Sequence, residues 1–303
     1  MRMRPQTALG LALFVAGPTS AAEPAPLADY VAARIQSDAV VEASGIACHE
    51  ANEGRIWVLN DSGWPAEIYA VDQDGQDAGS MTIRAPNDDW EDMAVTRKGD
   101  ATHIVIGDIG DNAGSREWVV LYRLDQDNGD VSSLRFTYPG GPRDAESVAI
   151  DDRDGMAYVL SKRTLPTRLY AVPTARWNGP EPVLAQDLGT VTTVPAPTFL
   201  DRFLAHARRS WHWQTTAMDI SPDGSRIGIL TYTAVYLYTR DSGMSFRDAL
   251  DQAPMVFSLE NVLAAESLCL TGSEVFVTTE GRQPALYRIP LNDPGWAPLF
   301  PAR

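Results

Sequence analysis

The chain has 303 residues, 44% of them hydrophobic, which is enough to bury one large core or two. Forty Asp and Glu stand against 25 Lys and Arg, and the formal charge of −15 argues against nucleic acid and anionic membranes as partners, because both require basic surface. What remains is an acidic protein that attracts cations.

The N-terminus has the outline of a secretory signal peptide. Arg2 and Arg4 form a basic start, residues 7–17 an apolar segment, and Ser20-Ala21-Ala22 a run of small residues before Glu23. This pattern predicts a leader over residues 1–22 and one mature domain over 23–303 in the periplasm or outside the cell. The apolar segment is too short to cross a bilayer, and no later stretch is apolar enough to do so, so no membrane span is expected. Nothing in the sequence calls for a second copy, and a monomer is expected.

The mature chain repeats. Five segments share one outline: Ser44-Gly45-Ile46-Ala47-Cys48, Glu91-Asp92-Met93-Ala94-Val95, Glu146-Ser147-Val148-Ala149-Ile150, Thr216-Ala217-Met218-Asp219-Ile220 and Glu266-Ser267-Leu268-Cys269-Leu270. Each is followed by a turn and a second apolar run, at residues 55–60, 103–108, 156–161, 226–231 and 274–279. A third run carries a Tyr each time: Tyr69, Tyr122, Tyr170, Tyr236 and Tyr287. A weaker fourth run is visible at 80–84, 134–138, 183–188 and 255–259. Four strands per unit at this spacing predict an all-β fold, a β-propeller of four-stranded blades. Five blades fit best, with a degenerate sixth as the alternative. The last unit lacks a fourth strand, and residues 30–41 are placed to supply it and close the ring. Residues 195–214, rich in aromatics and Arg, form an insert.

The turn Ser221-Pro222-Asp223-Gly224-Ser225-Arg226-Ile227 resembles the turn between the first two strands of TolB-like and WD-repeat propeller blades. Pro sets the turn and Gly takes positive φ. The resemblance implies architecture and says nothing of activity. Cys48 and Cys269 fall on the first strands of the first and last units, one position apart in the repeat. They read either as two small buried hydrophobes or as a disulfide across the closure.

In a propeller the first strand of each blade lines the channel and begins on the face where the second strand ends. That face collects Asp61 from blade 1, Glu91, Asp92, Asp108 and Asp111 from blade 2, Glu146, Lys162 and Arg163 from blade 3, and Glu266 and Glu280 from blade 5. So many carboxylates around one mouth need a counter-charge. Their donors are all oxygen, which suits Ca²⁺, with Mg²⁺ second, rather than Zn²⁺. Asp61, Glu91, Asp108, Asp111, Glu146, Glu266 and Glu280 are the candidate ligands. Glu91 and Asp108 are the candidate catalytic carboxylates, and Lys162 and Arg163 are the candidate holders of an anionic group.

This layout is similar to that of the gluconolactonase- and paraoxonase-like lactonases and the phytase-like esterases, which implies calcium-dependent hydrolysis at such a mouth. Ser44-Gly45 departs from the lactonase pattern, where a metal-binding Glu is typical, and the catalytic assignments of those enzymes are therefore not transferred. Two functions are expected: a divalent-cation-dependent hydrolase of a small ester, lactone or phosphoester, or a non-catalytic propeller binding a cell-envelope ligand at its mouth.

Overall fold

The computed structural model describes residues 27–48, 54–98, 101–196, 212–259, 262 and 264–299. The expected leader and most of the expected insert lie outside these residues. After a 3-10 turn at Leu27–Tyr30 comes strand β1 (Val31–Arg34). Blade 1 is β2 (Ala43–Cys48), β3 (Ile56–Asn60), β4 (Glu67–Val71) and β5 (Asp77–Thr82). Blade 2 is β6 (Trp90–Lys98), β7 (Ala101–Asp108), β8 (Val119–Asp125) and β9 (Val131–Thr137). The inner strands of blade 3 are β10 (Ala145–Asp151), β11 (Met156–Ser161) and β12 (Arg168–Pro173). The fourth run expected at 183–188 is divided. β13 (Val183–Leu184) pairs in parallel with β9 of blade 2, and β14 (Gln186–Thr190) is the true outer strand of blade 3.

Blade 4 is β15 (Thr215–Ile220), β16 (Arg226–Thr231), β17 (Ala234–Thr239) and β18 (Met255–Ser258). Blade 5 is β19 (Ala265–Leu270), β20 (Glu274–Thr279) and β21 (Ala285–Pro290), and β1 pairs against β21 as its fourth strand. The last strand, β22 (Ala297–Pro298), is added outside β18. The described residues thus form five antiparallel blades in a ring, with the N-terminal strand closing it, and no sixth blade is needed.

Burial separates the inner strands from the outer ones. All seven residues of Ala145–Asp151 are buried, as expected of a strand covered on both faces. Asp77–Thr82, an outer strand, is exposed along almost its whole length and carries no apolar alternation. The core is not one body but five, each between two neighbouring blades. The recurring Tyr lies in this packing: Tyr170 between blades 2 and 3, Tyr236 between 3 and 4, Tyr122 between 1 and 2.

The fifth interface joins the last blade to the first. Ile35, Ile46, Val58, Phe276 and Leu286 pack there, and Cys48 and Cys269 form a disulfide with a Cα–Cα distance of 5.7 Å. The offset of one residue in the repeat turns the two side chains to opposite blade faces, and those faces meet across the closure. The disulfide bridges 221 positions of sequence, so it removes a very large loop from the unfolded ensemble.

A Cys48→Ala, Cys269→Ala double variant should keep its far-ultraviolet circular dichroism but lose about 2–4 kcal/mol of stability. For a domain of this size that is a fall in Tm of roughly 5–10 °C. A Tm equal to that of the oxidised wild type would show that β1 and the packed interface close the ring without help.

Candidate functional site

The first strand of every blade carries a register shift at the same place: between Ala43 and Gly45, Trp90 and Asp92, Ala145 and Ser147, Thr215 and Ala217, and Ala265 and Ser267. The extra residue is therefore Ser44, Glu91, Glu146, Thr216 and Glu266 in turn. These are the residues that open the five sequence repeats. A β-bulge bends its strand and re-aims one side chain. Here five equivalent bulges present one polar residue per blade at the same end of the channel.

Three carboxylates converge beside the blade 2 bulge. Asp61, at the end of β3, and Asp89 and Glu91, at the start of β6, offer one oxygen each, all within 4.8 Å of one another. Two oxygens that each lie about 2.4 Å from a common calcium ion can be at most about 4.8 Å apart, so the spacing fits. Local bonds fix this group. Ser44 Oγ donates to the Glu91 carbonyl at 2.8 Å and to Glu91 Oε2 at 3.3 Å. Asp89 N donates to Asp108 Oδ1 at 3.1 Å, and Gly110 N donates to the Asp89 carbonyl at 3.2 Å.

Gly110 is glycine for lack of room, not for φ. A Cβ there would lie 2.2 Å from Glu91 Oε1 and 2.4 Å from Asp89 Oδ2. The loop after β7 is thus pressed directly against the carboxylates. Gly45 has a similar cause, since its Cβ would stand 2.9 Å from the Asp92 Cα of the neighbouring blade. Gly45, which follows the Ser44 bulge in the first repeat, is what lets β2 reach β6 and bring Ser44 onto Glu91.

The cations at the mouth are engaged elsewhere. Lys162 Nζ contacts Glu146, Arg163 contacts Asp144 and Asn112, and Arg116 holds Asp108 Oδ1 at 2.8 Å. Among the described residues no Lys, Arg or His nitrogen forms an ion pair with Asp61, Asp89 or Glu91. Burial raises the pKa of all three, and Glu91, only 4% exposed, is pushed well above the carboxylate range. Its neighbours Asp61 and Asp89 push it further, and Lys162 opposes them. Glu266 is raised to about 7 by burial, with Lys162 acting against the shift and Glu280 adding to it. Lys162 is thus the cation that Glu91, Glu146 and Glu266 share, and its Nζ lies 5.8 Å from the centre of the Tyr232 ring.

The other expected site residues fall into place around this centre. Asp108 is fully buried, and its oxygens accept from Arg116 and from the Asp88 and Asp89 amides. Asp111 accepts from the Ser115 and Arg116 amides, at 2.8 and 3.0 Å. Both therefore shape the loop that carries Gly110. Glu280 is exposed and acts on Glu266 and Tyr232 through its charge. Asp89 was not among the candidate ligands, although it stands two residues before Glu91 in the same acidic run.

Asp92 does not face the mouth. It is completely buried in the channel, where Oδ2 accepts from the Val148 amide of blade 3 at 2.9 Å and the Met218 amide of blade 4 at 3.2 Å. Oδ1 accepts from its own neighbour Met93 at 2.9 Å. One carboxylate so ties three blades together across the axis. Further along, Asp219 of blade 4 accepts from the Leu270 amide of blade 5 at 2.8 Å, and burial raises it to about 7.

No family model matches the sequence, and no curated protein matches it. Among solved structures, a chain from a nidogen/laminin complex is similar at 10% identity and a TM-score of 0.45, over 81% of this chain and 82% of that one. A Dos1 propeller is similar at 10% identity and a TM-score of 0.40, over 83% of this chain and 68% of that one. The extracellular domain of a putative hybrid two component system from B. thetaiotaomicron is similar at 10% identity and a TM-score of 0.36, over 82% of this chain and 27% of that one. Likeness at this level bears on no activity.

Carboxylates raised in the folded state make stability fall as pH rises. Below about 4.5 they are protonated in both states; from there to about 7 the unfolded chain ionises first and is favoured. With Glu266 and Asp219 both at about 7, Tm in the presence of a chelator should drop by several degrees between pH 5 and pH 7.5 and level off above. Asp219→Asn should flatten part of that slope. A Tm that rises over this interval would show that these groups are ionised when buried.

Proposed function

We propose that the mouth binds a divalent cation through Asp61, Asp89 and Glu91, with calcium as first choice and magnesium second. The observation that carries this reading is the trio itself: three oxygen donors at ion-binding separation, with no partner cation in contact among the described residues. A bound cation would supply a Lewis acid for a carbonyl or phosphoryl oxygen and lower the pKa of a coordinated water.

The surrounding residues suit hydrolysis of a small ester, lactone or phosphoester. Arg163, with 54% of its side chain exposed, and Lys162 beside it can hold an anionic group at the mouth. Glu266, raised to about 7, is in the range where a carboxyl group can both take and return a proton near neutral pH. Asp108, committed to Arg116 and two amides, is not proposed as a base. The second reading is a non-catalytic propeller that binds a cell-envelope ligand at its mouth. Its support is Lys162, an internal cation already in contact with Glu146, which can brace the acidic ring without chemistry. Both readings place the protein in the periplasm or outside the cell, in keeping with its basic-apolar N-terminus and its disulfide.

Thermal melts with calcium and with EDTA, followed by an ester, lactone and phosphoester panel, separate these outcomes. Calcium should raise Tm, and Glu91→Gln and Gly110→Ala should each weaken its binding at least tenfold, the second without removing any charge. Lys162→Met should bind calcium several-fold more tightly, since it removes a competing positive charge. A Tm indifferent to calcium and chelator would sink the cation site. Stabilisation by calcium without turnover of any substrate would favour the envelope-binding reading.

A further inference from the structure

The face opposite the mouth carries a second groove, between blades 2 and 3. β6 runs from Trp90, paired with Asp108 at the mouth, to Lys98, paired with Ala101 at the far end. Thr96 pairs with His103 and His103 with Asp125, so these residues lie at the far end. A cavity of about 680 Å³ opens there, lined by Arg97, His103, Arg123, Met156 and Trp177 among others. Its volume is within the range of small-molecule sites, roughly 300–1,000 Å³.

Two features of its wall are unusual. The Arg123 guanidinium rests 4.8 Å from the centre of the Trp177 ring and makes no hydrogen bond or ion pair within 4 Å among the described residues. Burial lowers its pKa, with Asp125 offsetting this in part. A half-buried guanidinium with its N–H fork uncommitted is the group best shaped to take a carboxylate or phosphate in two parallel hydrogen bonds. Beside it, His103 is only 8% exposed, and its Nδ1 has no hydrogen-bond partner. An unmet buried nitrogen is destabilising, and a water or a ligand group reaching the groove floor would satisfy it.

The carboxylates nearby do not contradict a negative ligand, because their oxygens are turned to their own partners. Asp152 accepts from Thr96 Oγ1 and the Arg97 amide, and Asp154 from the Met156 amide and Tyr158 hydroxyl. Asp125 Oδ2 faces His103 Nε2 at 3.9 Å. Met156 and Trp177 give the groove an apolar side along which the rest of a ligand can lie.

We infer that this groove is a second binding site, separate from the mouth, for a small organic molecule carrying an oxyanion, with Arg123 as its anchor and Trp177 as its stacking surface. The inference does not depend on the cation site. It is tested by titrating the full chain with phenyl phosphate and with benzoate, followed by calorimetry and tryptophan fluorescence, with and without calcium. At least one probe should bind, with a fluorescence change and the same affinity whether or not calcium is present. Arg123→Gln should weaken it at least tenfold. Arg123→Lys, which keeps the charge but loses the fork, should weaken it severalfold and serves if the Gln variant fails to fold. Trp177→Leu should abolish the fluorescence change. Failure of both probes to bind, or binding that the Arg123 variants leave unchanged, would overturn the inference.

Discussion

The β-bulge near the start of each inner strand is the constraint on which the rest of this protein depends. An inner strand buried on both faces has little tolerance for a polar side chain. The extra residue bends the strand where it leaves the ring, so a Glu, Ser or Thr can stand at the channel end while the next residues return to the apolar register. Five bulges at one level make a rim. The rim brings Glu91, Glu146 and Glu266 towards a shared Lys162, and the loops from the neighbouring strands supply Asp61 and Asp89. A straight ladder at these five places would not turn these five side chains to the mouth.

The acidic rim has an energetic cost, and the structure shows how it is met. Asp108 and Asp144 are held by arginines, and Asp111 by backbone amides. Asp92 is held by three amides in the axis, where it doubles as a tie between blades. Asp61, Asp89 and Glu91 stand together without an ion pair among the described residues, with Lys162 acting on Glu91 only at a distance. A partly buried group of like charges with no cation in contact is a plain candidate for an ion or for protons, and which of the two it takes depends on pH and on the cation available. The trio is closely supported. Gly110 is pressed against it, Ser44 holds Glu91, and a disulfide and a β-strand lock the ring outside it.

Much of this was legible in the residues. The fivefold repeat aligns Ser44, Glu91, Glu146, Thr216 and Glu266 as the opening residue of each unit, and the bulges fall on those residues. The recurring Tyr lies in the packing between blades, and the missing fourth strand of the last unit points to the N-terminal strand that fills it. Three things were hidden. The fourth strand of blade 3 is Gln186–Thr190 rather than 183–188, since an exposed outer strand has no apolar period to fix its start. Asp92 resembles its neighbour Glu91 in the sequence, yet Glu91 is the bulge residue re-aimed to the mouth while Asp92 accepts amides inside the channel. The roles of Asp108 and Asp111 depended on Arg116 and on loop amides, partners that spacing alone does not identify.

The central claim is that Asp61, Asp89 and Glu91 share one ion, and crystals grown with manganese substituted for calcium test it most directly. The account predicts one anomalous difference peak at the mouth, coordinated by an oxygen from each of the three carboxylates. A map with no peak there, and with Lys162 turned away from Glu146 into the trio, would contradict it.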